Sequence, residues 1–205
     1  MERSSAVEHL VEIAEDSSAM LRFREREIGW PLEELWATGE LLSDASDLEG
    51  GAVVLVLDEP AEEVPWLALT PASAFVGDRL RLAKRPLAWS CRPTAWPAWN
   101  HENRRLVRYW SAADGLDDPV VEALRTGDVA GLPVVEPEPG ELAAQLRKEL
   151  DVSRRHLDAT LDSYWDGDWR REHKGFAVGP EDHLWRAAQA VREISDALDR
   201  LEPGA

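Results

Sequence analysis

The chain has little cysteine and no long apolar run, and both shortages exclude whole classes of protein. Cys91 is the single cysteine, so no disulfide can form within the chain and no zinc site of several cysteines can be built. No apolar stretch is long enough to span a bilayer, and the first residues show no cationic segment followed by an apolar one. We therefore expect a cytoplasmic protein without a membrane partner.

Lysine is scarce as well, because Arg supplies twenty of the 23 basic residues, a bias that is typical of GC-rich genomes. The 205 residues are 44% hydrophobic and 31% charged, which favours one compact globular domain or one domain with a helical appendage. The net charge of −17 argues against nucleic acid as a partner, since most of the surface repels phosphates.

Positive charge is missing from one long segment and concentrated in the next. Between Pro31 and Asp78 there are eleven carboxylates and no Lys or Arg, whereas Arg79 to Trp110 has eight Lys or Arg and one carboxylate. We call these the acidic segment (31–78) and the basic segment (79–110). Neighbouring fields of opposite sign are expected where a site holds a cation beside an anionic group.

Hydrophobic spacing predicts a mixed α+β fold. A first helix is expected from about Ser4 to the low twenties, with its end at 22–27, and a later one opens at Asp118-Pro119 and closes at Gly127. Strands are predicted at Leu35–Thr38, Ala52–Leu57 and Leu106–Trp110, the second of them buried on both faces. On the last strand, strict alternation places Arg108 and Trp110 on one face.

Two apolar stripes predict long C-terminal helices, one from Leu142 to Trp165 and one from Leu184 to Leu201. These helices must pack on each other and on the sheet, or on another subunit. We therefore predict three parts: a small mixed sheet with flanking helices at 1–126, a Pro/Gly-rich connector at 127–140, and a C-terminal antiparallel helix pair at 141–205.

The basic segment contains a loop in which Pro93 and Pro97 prevent a regular helix. Guanidinium groups beside indole rings are a usual means of holding a phosphate and a planar ring. The sequence therefore predicts a site for a nucleotide or another anionic aromatic small molecule, formed by Trp96, Trp99, His101, Arg104, Arg105 and Arg108. It is equally consistent with the alternative that these cations only form ion pairs with acidic residues across the fold.

A short strand ending at Gly39, an acidic loop and a second strand precede the later helices. This order resembles the nucleotidyltransferase superfold, in which a turn that contains Gly follows the first strand and paired acids beside the second strand hold divalent metal. The resemblance implies that Gly39 forms the ligand-binding turn and that Asp47 and Glu49 hold Mg²⁺. The chain departs from the family pattern, because Glu40 stands where Ser is usual and the strand Leu106–Trp110 carries no third acid. The resemblance therefore implies a degenerate member.

The chain is also similar to an uncharacterised family of GC-rich bacteria. The shared stretches are Leu-Trp-Ala-x-Gly (35–39), Glu-Val-Pro-Trp (63–66), Pro-x-Trp-Asn-His (97–101) and Leu-Trp-Arg-Ala (184–187). This similarity implies no activity.

Three functions are consistent with these observations. The first is a degenerate nucleotidyltransferase-like protein that binds a nucleotide or another anionic aromatic small molecule. The second is an active, Mg²⁺-dependent nucleotidyltransferase. The third is a protein-interaction module without a small-molecule ligand, either antitoxin-like or forming a homodimer.

Overall fold

A five-stranded mixed sheet organises the chain in the computed structural model, which describes residues 1–21, 30–175 and 178–202. Its strands are β1 (Leu32–Thr38), β2 (Gly51–Leu57), β3 (Leu87–Pro93), β4 (Leu106–Ser111) and β5 (Gly115–Leu116). Their order across the sheet is β3-β2-β1-β4-β5, with β2 and β3 parallel and the other neighbours antiparallel. The α+β class and the three predicted strands are confirmed.

Six α-helices accompany the sheet in the described ranges: α1 (Arg3–Leu21), α2 (Pro71–Arg79), α3 (Asp118–Thr126), α4 (Pro139–Ser163), α5 (Gly167–Glu172) and α6 (Pro180–Leu201), with short 3-10 helices at Gly39–Leu42 and Leu82–Lys84. The predicted first helix is confirmed as far as Leu21, and its predicted end at 22–27 lies outside the described residues. Asp117 caps α3 by accepting a hydrogen bond from the backbone N–H of Val120, and Gly127 ends the helix with φ +77°. Within these ranges no helix is both long and apolar enough to cross a membrane.

The strand β2 is buried on both faces, as its unbroken apolar run predicts. Val53 and Leu55 lie in the main core, which also contains buried residues of α1 and α3. Val54 and Val56 face the other way and pack with Ala98 in a second cluster. Because both faces are covered, neither needs polar side chains.

An irregularity in β4 corrects the predicted side of Arg108. Leu35 of β1 pairs with Trp110, but the next residue, Trp36, pairs with Arg108. Tyr109 is therefore an extra residue in the strand, a β-bulge that interrupts strict alternation. Trp110 lies in the main core with Tyr109, whereas Arg108 stays exposed. The prediction that Arg108 and Trp110 share a face is wrong.

The C-terminal region is helical, and α4 and α6 contribute to one apolar cluster. Its buried members are Trp66, Leu142, Leu146, Leu150, Ala190, Ile194 and Ala197. The small Ala side chains of α6 allow the two helices to approach closely, since the distance between packed helices depends on the side chains at the contact.

A buried ion pair joins this helical region to the sheet. Arg92 of β3 donates through Nη1 and Nη2 to the two carboxylate oxygens of Glu149 in α4, at 2.8 and 2.6 Å. Arg92 also donates to the carbonyls of Pro97 at 3.0 Å and Trp99 at 3.1 Å. The pair thereby fixes the 97–99 loop between β3 and α4.

Candidate functional site

Carboxylates occupy most guanidinium groups of the basic segment. The ion pairs are Arg81–Asp16, Arg85–Glu12, Arg85–Asp16, Arg92–Glu149, Arg105–Glu136, Arg108–Glu34 and Arg108–Asp114. Among these partners Glu34 alone belongs to the acidic segment. The two segments therefore do not neutralise each other through these pairs, and most of the acids come from elsewhere in the chain.

The predicted aromatic loop lies against Arg92. The guanidinium carbon of Arg92 lies 5.3 Å from the ring centroid of Trp96, and Trp99 packs beside the apolar clusters of the helical region and of β2. Trp96 lines one hollow, with Asp58, and Arg108 lines another, with Asp114 and Asp117. Two residues that were predicted to share a ligand thus border separate hollows.

The predicted metal loop lies between β1 and β2. Gly39 adopts φ +69°, where a residue other than Gly would be strained, and opens the 3-10 turn. The Glu40 carboxylate accepts hydrogen bonds from the backbone N–H groups of Glu49 and Gly50, at 2.6 and 3.2 Å. Asp47 is 82% exposed and lies 3.1 Å from the amino group of Met1. Mg²⁺ binding by Asp47 and Glu49 stays a prediction.

A different hollow, of about 350 Å³, lies between the edge strand β3, the 64–69 loop and α6. We call it the tryptophan pocket, because Trp66 and Trp89 line it together with Ser73, Ser90, Cys91, Glu102, Asn103 and Arg186. Small residues at positions 52, 68 and 88, all Ala, leave the space open. Leu67 in its wall has φ +62°, an uncommon conformation for a residue with a side chain, and such strain concentrates at functional sites.

The indole of Trp89 is held on α2 but keeps an open face. A Cβ atom at Gly77 would lie 3.2 Å from the ring, so the Gly allows the indole to rest directly on the helix. The residue is 36% exposed, which leaves ring surface for a ligand. Trp89 is therefore a rigid aromatic wall of the tryptophan pocket.

Arg186 gives the tryptophan pocket a guanidinium group, and Ser90 and Asn103 give it neutral polar groups. Burial, with a smaller contribution from the charge of Glu59, raises the pKa of the Cys91 thiol to about 12. Cys91 is therefore protonated at neutral pH and lines the wall as an apolar group rather than as a nucleophile. A pocket of this kind suits a planar ligand with an anionic group.

Beside the tryptophan pocket, a tight turn presents His101 and Glu102. The Asn100 side chain accepts hydrogen bonds from the backbone N–H groups of Glu102 at 2.9 Å and Asn103 at 2.7 Å. The ring of His101 packs edge-on to Trp66, with centroids 5.1 Å apart. Trp66 in turn donates from Nε1 to Glu193 of α6 at 2.7 Å. Glu102 lines both the tryptophan pocket and the hollow around His101 and Glu193.

The sequence pattern predicts His101 as a site residue but does not mark Trp66, Trp89, Arg186 or Glu193 as one. Trp66 and Arg186 lie within the two family stretches at 63–66 and 184–187, and this position was the one sequence feature that could have identified them as site residues. Glu193 is one of several carboxylates on α6 and carries no local pattern that distinguishes it.

Residues 1–200 match the family model described as Domain of unknown function (DUF7711). No curated protein and no solved structure matches the chain.

Proposed function

The chain belongs to the DUF7711 family, a domain of unknown function, and from the geometry of its tryptophan pocket we propose that it binds an anionic small molecule with a planar aromatic ring, such as a nucleotide. The observation that carries the proposal is the presence of Trp89 and Arg186 in one hollow of about 350 Å³. This volume lies within the range of about 300–1,000 Å³ that is usual for ligand sites.

Each wall of the tryptophan pocket has a role in this proposal. The open face of Trp89 stacks with the planar ring of the ligand, and the guanidinium of Arg186 pairs with its phosphate or carboxylate. Ser90 and Asn103 orient polar edges of the ring. The ligand class is the one predicted from sequence, but the pocket replaces the loop residues Trp96, Arg104 and Arg108 as its principal site.

The test is a titration of the chain with ATP, GTP, CTP and UTP, followed by Trp fluorescence with and without Mg²⁺. We expect Arg186→Gln to weaken binding about tenfold or more, because a charge-assisted hydrogen bond is lost. Trp89→Leu should remove most of the fluorescence change. The matched control is Arg155→Gln, which removes the same charge from an exposed position on α4.

Two outcomes would contradict the proposal. One is the absence of any response at millimolar nucleotide. The other is binding that survives Arg186→Gln but is lost in the double variant Arg104→Ala/Arg108→Ala, which would place the ligand on the basic loop that the sequence predicts.

A nucleotidyltransferase-like fold is a second part of the proposal. Its support is the order of β1, the turn at Gly39, the acidic loop and β2, followed later in the chain by the helices α4 and α6. An active enzyme would hold Mg²⁺ with Asp47 and Glu49. Mg²⁺-dependent release of pyrophosphate from a nucleoside triphosphate, abolished by Asp47→Asn, would favour activity over a degenerate binding protein.

A further inference from the structure

Three potential metal ligands converge beside the tryptophan pocket from two distant parts of the chain. His101 and Glu102 lie on the turn before β4, and Glu193 lies on α6. One ligand atom from each residue lies within 4.8 Å of the other two. In the described ranges this is the group of three His, Cys, Asp or Glu residues whose ligand atoms come so close together.

The buried imidazole of His101 is an independent observation that points to a ligand. Its side chain is 7% exposed, and within the described part of the chain neither ring nitrogen has a hydrogen-bond partner. Glu193 Oε2 lies 3.8 Å from Nε2, which is too long for a hydrogen bond. Buried polar atoms are nearly always paired in native proteins, so an unpaired imidazole aimed at two carboxylates requires an explanation.

Hydrogen bonds hold the Glu193 carboxylate in position. Trp66 Nε1 donates to Oε2 at 2.7 Å, and Gln189 Nε2 donates to Oε1 at 2.5 Å. Ligating carboxylates in metal sites are usually oriented by outer hydrogen bonds of this kind. The exposed side chain of Glu102, by contrast, can rotate towards an ion.

We propose that His101, Glu102 and Glu193 bind a divalent transition-metal ion such as Zn²⁺. An imidazole with two carboxylates favours such ions over Mg²⁺ or Ca²⁺, which prefer ligand sets made of oxygen alone. Bonds to Zn²⁺ of about 2.0–2.2 Å require the three ligand atoms to draw closer together, which the rotation of Glu102 permits. Asp196 lines the same hollow, of about 310 Å³, and is available as a fourth ligand, while Arg200 also borders it.

The site is separate from the predicted Mg²⁺ loop and does not depend on ligand binding in the tryptophan pocket. Because Glu102 borders both hollows, an ion here would lie next to that pocket. Titration with a metal ion needs no nucleotide, so a failure of the metal site and a failure of the proposed ligand function are distinguishable.

The experiment uses the 205-residue chain after treatment with a chelator. Co²⁺ is added and followed by its visible absorption, and Zn²⁺ is added and followed by calorimetry. We expect one ion per chain, a Co²⁺ spectrum that shows nitrogen and oxygen ligands, and displacement of Co²⁺ by Zn²⁺. Glu102→Gln and Glu193→Gln should each weaken binding about tenfold or more, in line with the loss of a charged ligand.

Two controls remove the same charges or rings elsewhere. Asp158→Asn removes a carboxylate from an exposed position on α4. His173→Asn/His183→Asn removes a pair of neighbouring imidazoles, whose ring centroids lie 4.8 Å apart. Binding should be unchanged in both. Circular dichroism establishes that each variant is folded, and Glu102→Gln is the decisive one because an exposed side chain is altered.

The proposal is overturned if neither Co²⁺ nor Zn²⁺ binds at millimolar concentration. It is also overturned if folded Glu102→Gln and Glu193→Gln bind both ions as the unaltered chain does. Loss of binding in His173→Asn/His183→Asn, with binding retained in Glu102→Gln, would assign the ion to the histidine pair instead.

Discussion

Arg92 and Glu149 form a closed hydrogen-bonding unit in the interior. Both side chains are almost fully buried, at 1% and 0% exposure, and Gln145 donates a further hydrogen bond to Glu149 at 3.1 Å. Removing two charges from water is costly, and their attraction offsets that cost only where the geometry is good and the other polar atoms are satisfied. Arg92 is thus a structural cation, although its sequence context in the basic segment is the same as that of the predicted ligand-binding arginines.

Breaking this pair should destabilise the protein strongly. We expect Glu149→Gln to lower the free energy of unfolding by about 3–5 kcal/mol, because it leaves the guanidinium of Arg92 buried without a counter-charge. The double variant Arg92→Met/Glu149→Leu should recover part of the loss. Recovery is incomplete because the carbonyls of Pro97 and Trp99 lose their donor. Urea denaturation measures each value.

The matched control for this prediction is the exposed pair Arg105–Glu136, whose side chains are both more than half exposed. Glu136→Gln should change the free energy of unfolding by less than about 1 kcal/mol. Equal losses in Glu136→Gln and Glu149→Gln would show that burial does not govern the strength of the Arg92 pair.

Helices and strands were predicted correctly where the residues that fix them lie close together in the sequence. The apolar run at Ala52–Leu57, the Asp118-Pro119 pair that begins α3 and the helical stripe from Leu142 each predicted the correct element, because burial and capping act within a few residues. The bulge at Tyr109 has no local sequence mark. It depends on how β1 pairs with β4, and for that reason the predicted face of Arg108 was wrong.

The buried face of α6 shows a second limit of pattern reasoning. The large residues suggested a stripe through Leu184 and Leu198, whereas the fully buried positions include Ala187, Ala190 and Ala197. Small residues are favoured where two helices pack closely. The size of a buried side chain therefore depends on the distance between the helices. A hydrophobicity pattern weighted towards large residues cannot show this.

Three histidines meet where α4, α5 and α6 come together. His173 stacks on Trp169 with ring centroids 4.1 Å apart and packs edge-on to His183. Burial, followed by the charge of His173, lowers the pKa of His156. Burial also lowers the pKa of His183, as do the nearby His173, His156 and Arg186, while Asp182 acts in the opposite direction.

Acidification should therefore weaken this junction. Because the pKa values of His156 and His183 are lower in the folded chain than in the unfolded chain, the unfolded chain binds more protons once pH falls below the ordinary value of about 6.5. The free energy of unfolding then falls with pH, until the folded histidines are protonated as well. Urea denaturation from pH 7.5 to 5.5 measures the slope, which should be smaller in His156→Gln/His183→Gln.

The control for the pH prediction is His9→Gln, which removes an imidazole that contacts Glu12 on α1. Its slope between pH 7.5 and 5.5 should remain steeper than that of the double variant. If the double variant keeps the slope of the unaltered chain, the histidine junction does not contribute to acid sensitivity.

Both candidate sites depend on contacts between residues that are distant in sequence, and no local sequence pattern predicts such contacts. Arg186 reaches a pocket whose aromatic wall is Trp89, and Glu193 reaches His101. The two residues of each pair are distant in sequence, and the packing of α6 beside β3 and the 64–69 loop brings them together. A cation and indoles around an anionic ligand were predicted from the sequence, and that ligand stays a prediction. The division of charge into two segments did not show which residues meet.

The surface near the α4–α5–α6 junction exposes large apolar side chains. Leu161, Trp165 and Trp185 are 51%, 83% and 62% exposed, although the apolar stripe from Leu142 to Trp165 predicted burial of the first two. The neighbouring helix α5 carries exposed charges of both signs, such as Arg171 and Asp168, which pair with each other. A surface that carries positive and negative charges can be complementary to the same surface of a second copy related by a two-fold axis. Because the net charge is −17, a surface with negative charges alone would repel its copy.

We therefore expect this surface to join two copies of the chain. Light scattering coupled to size exclusion should show a dimer fraction that rises with protein concentration. Trp165→Ser/Trp185→Ser should weaken the association about tenfold or more, because buried Trp residues are frequent anchors of interfaces. The matched control is Val135→Ser, which changes an apolar residue that is 40% exposed and lies outside these helices. A chain that stays monomeric at millimolar concentration, or a double variant that associates as tightly as Val135→Ser, would contradict the prediction.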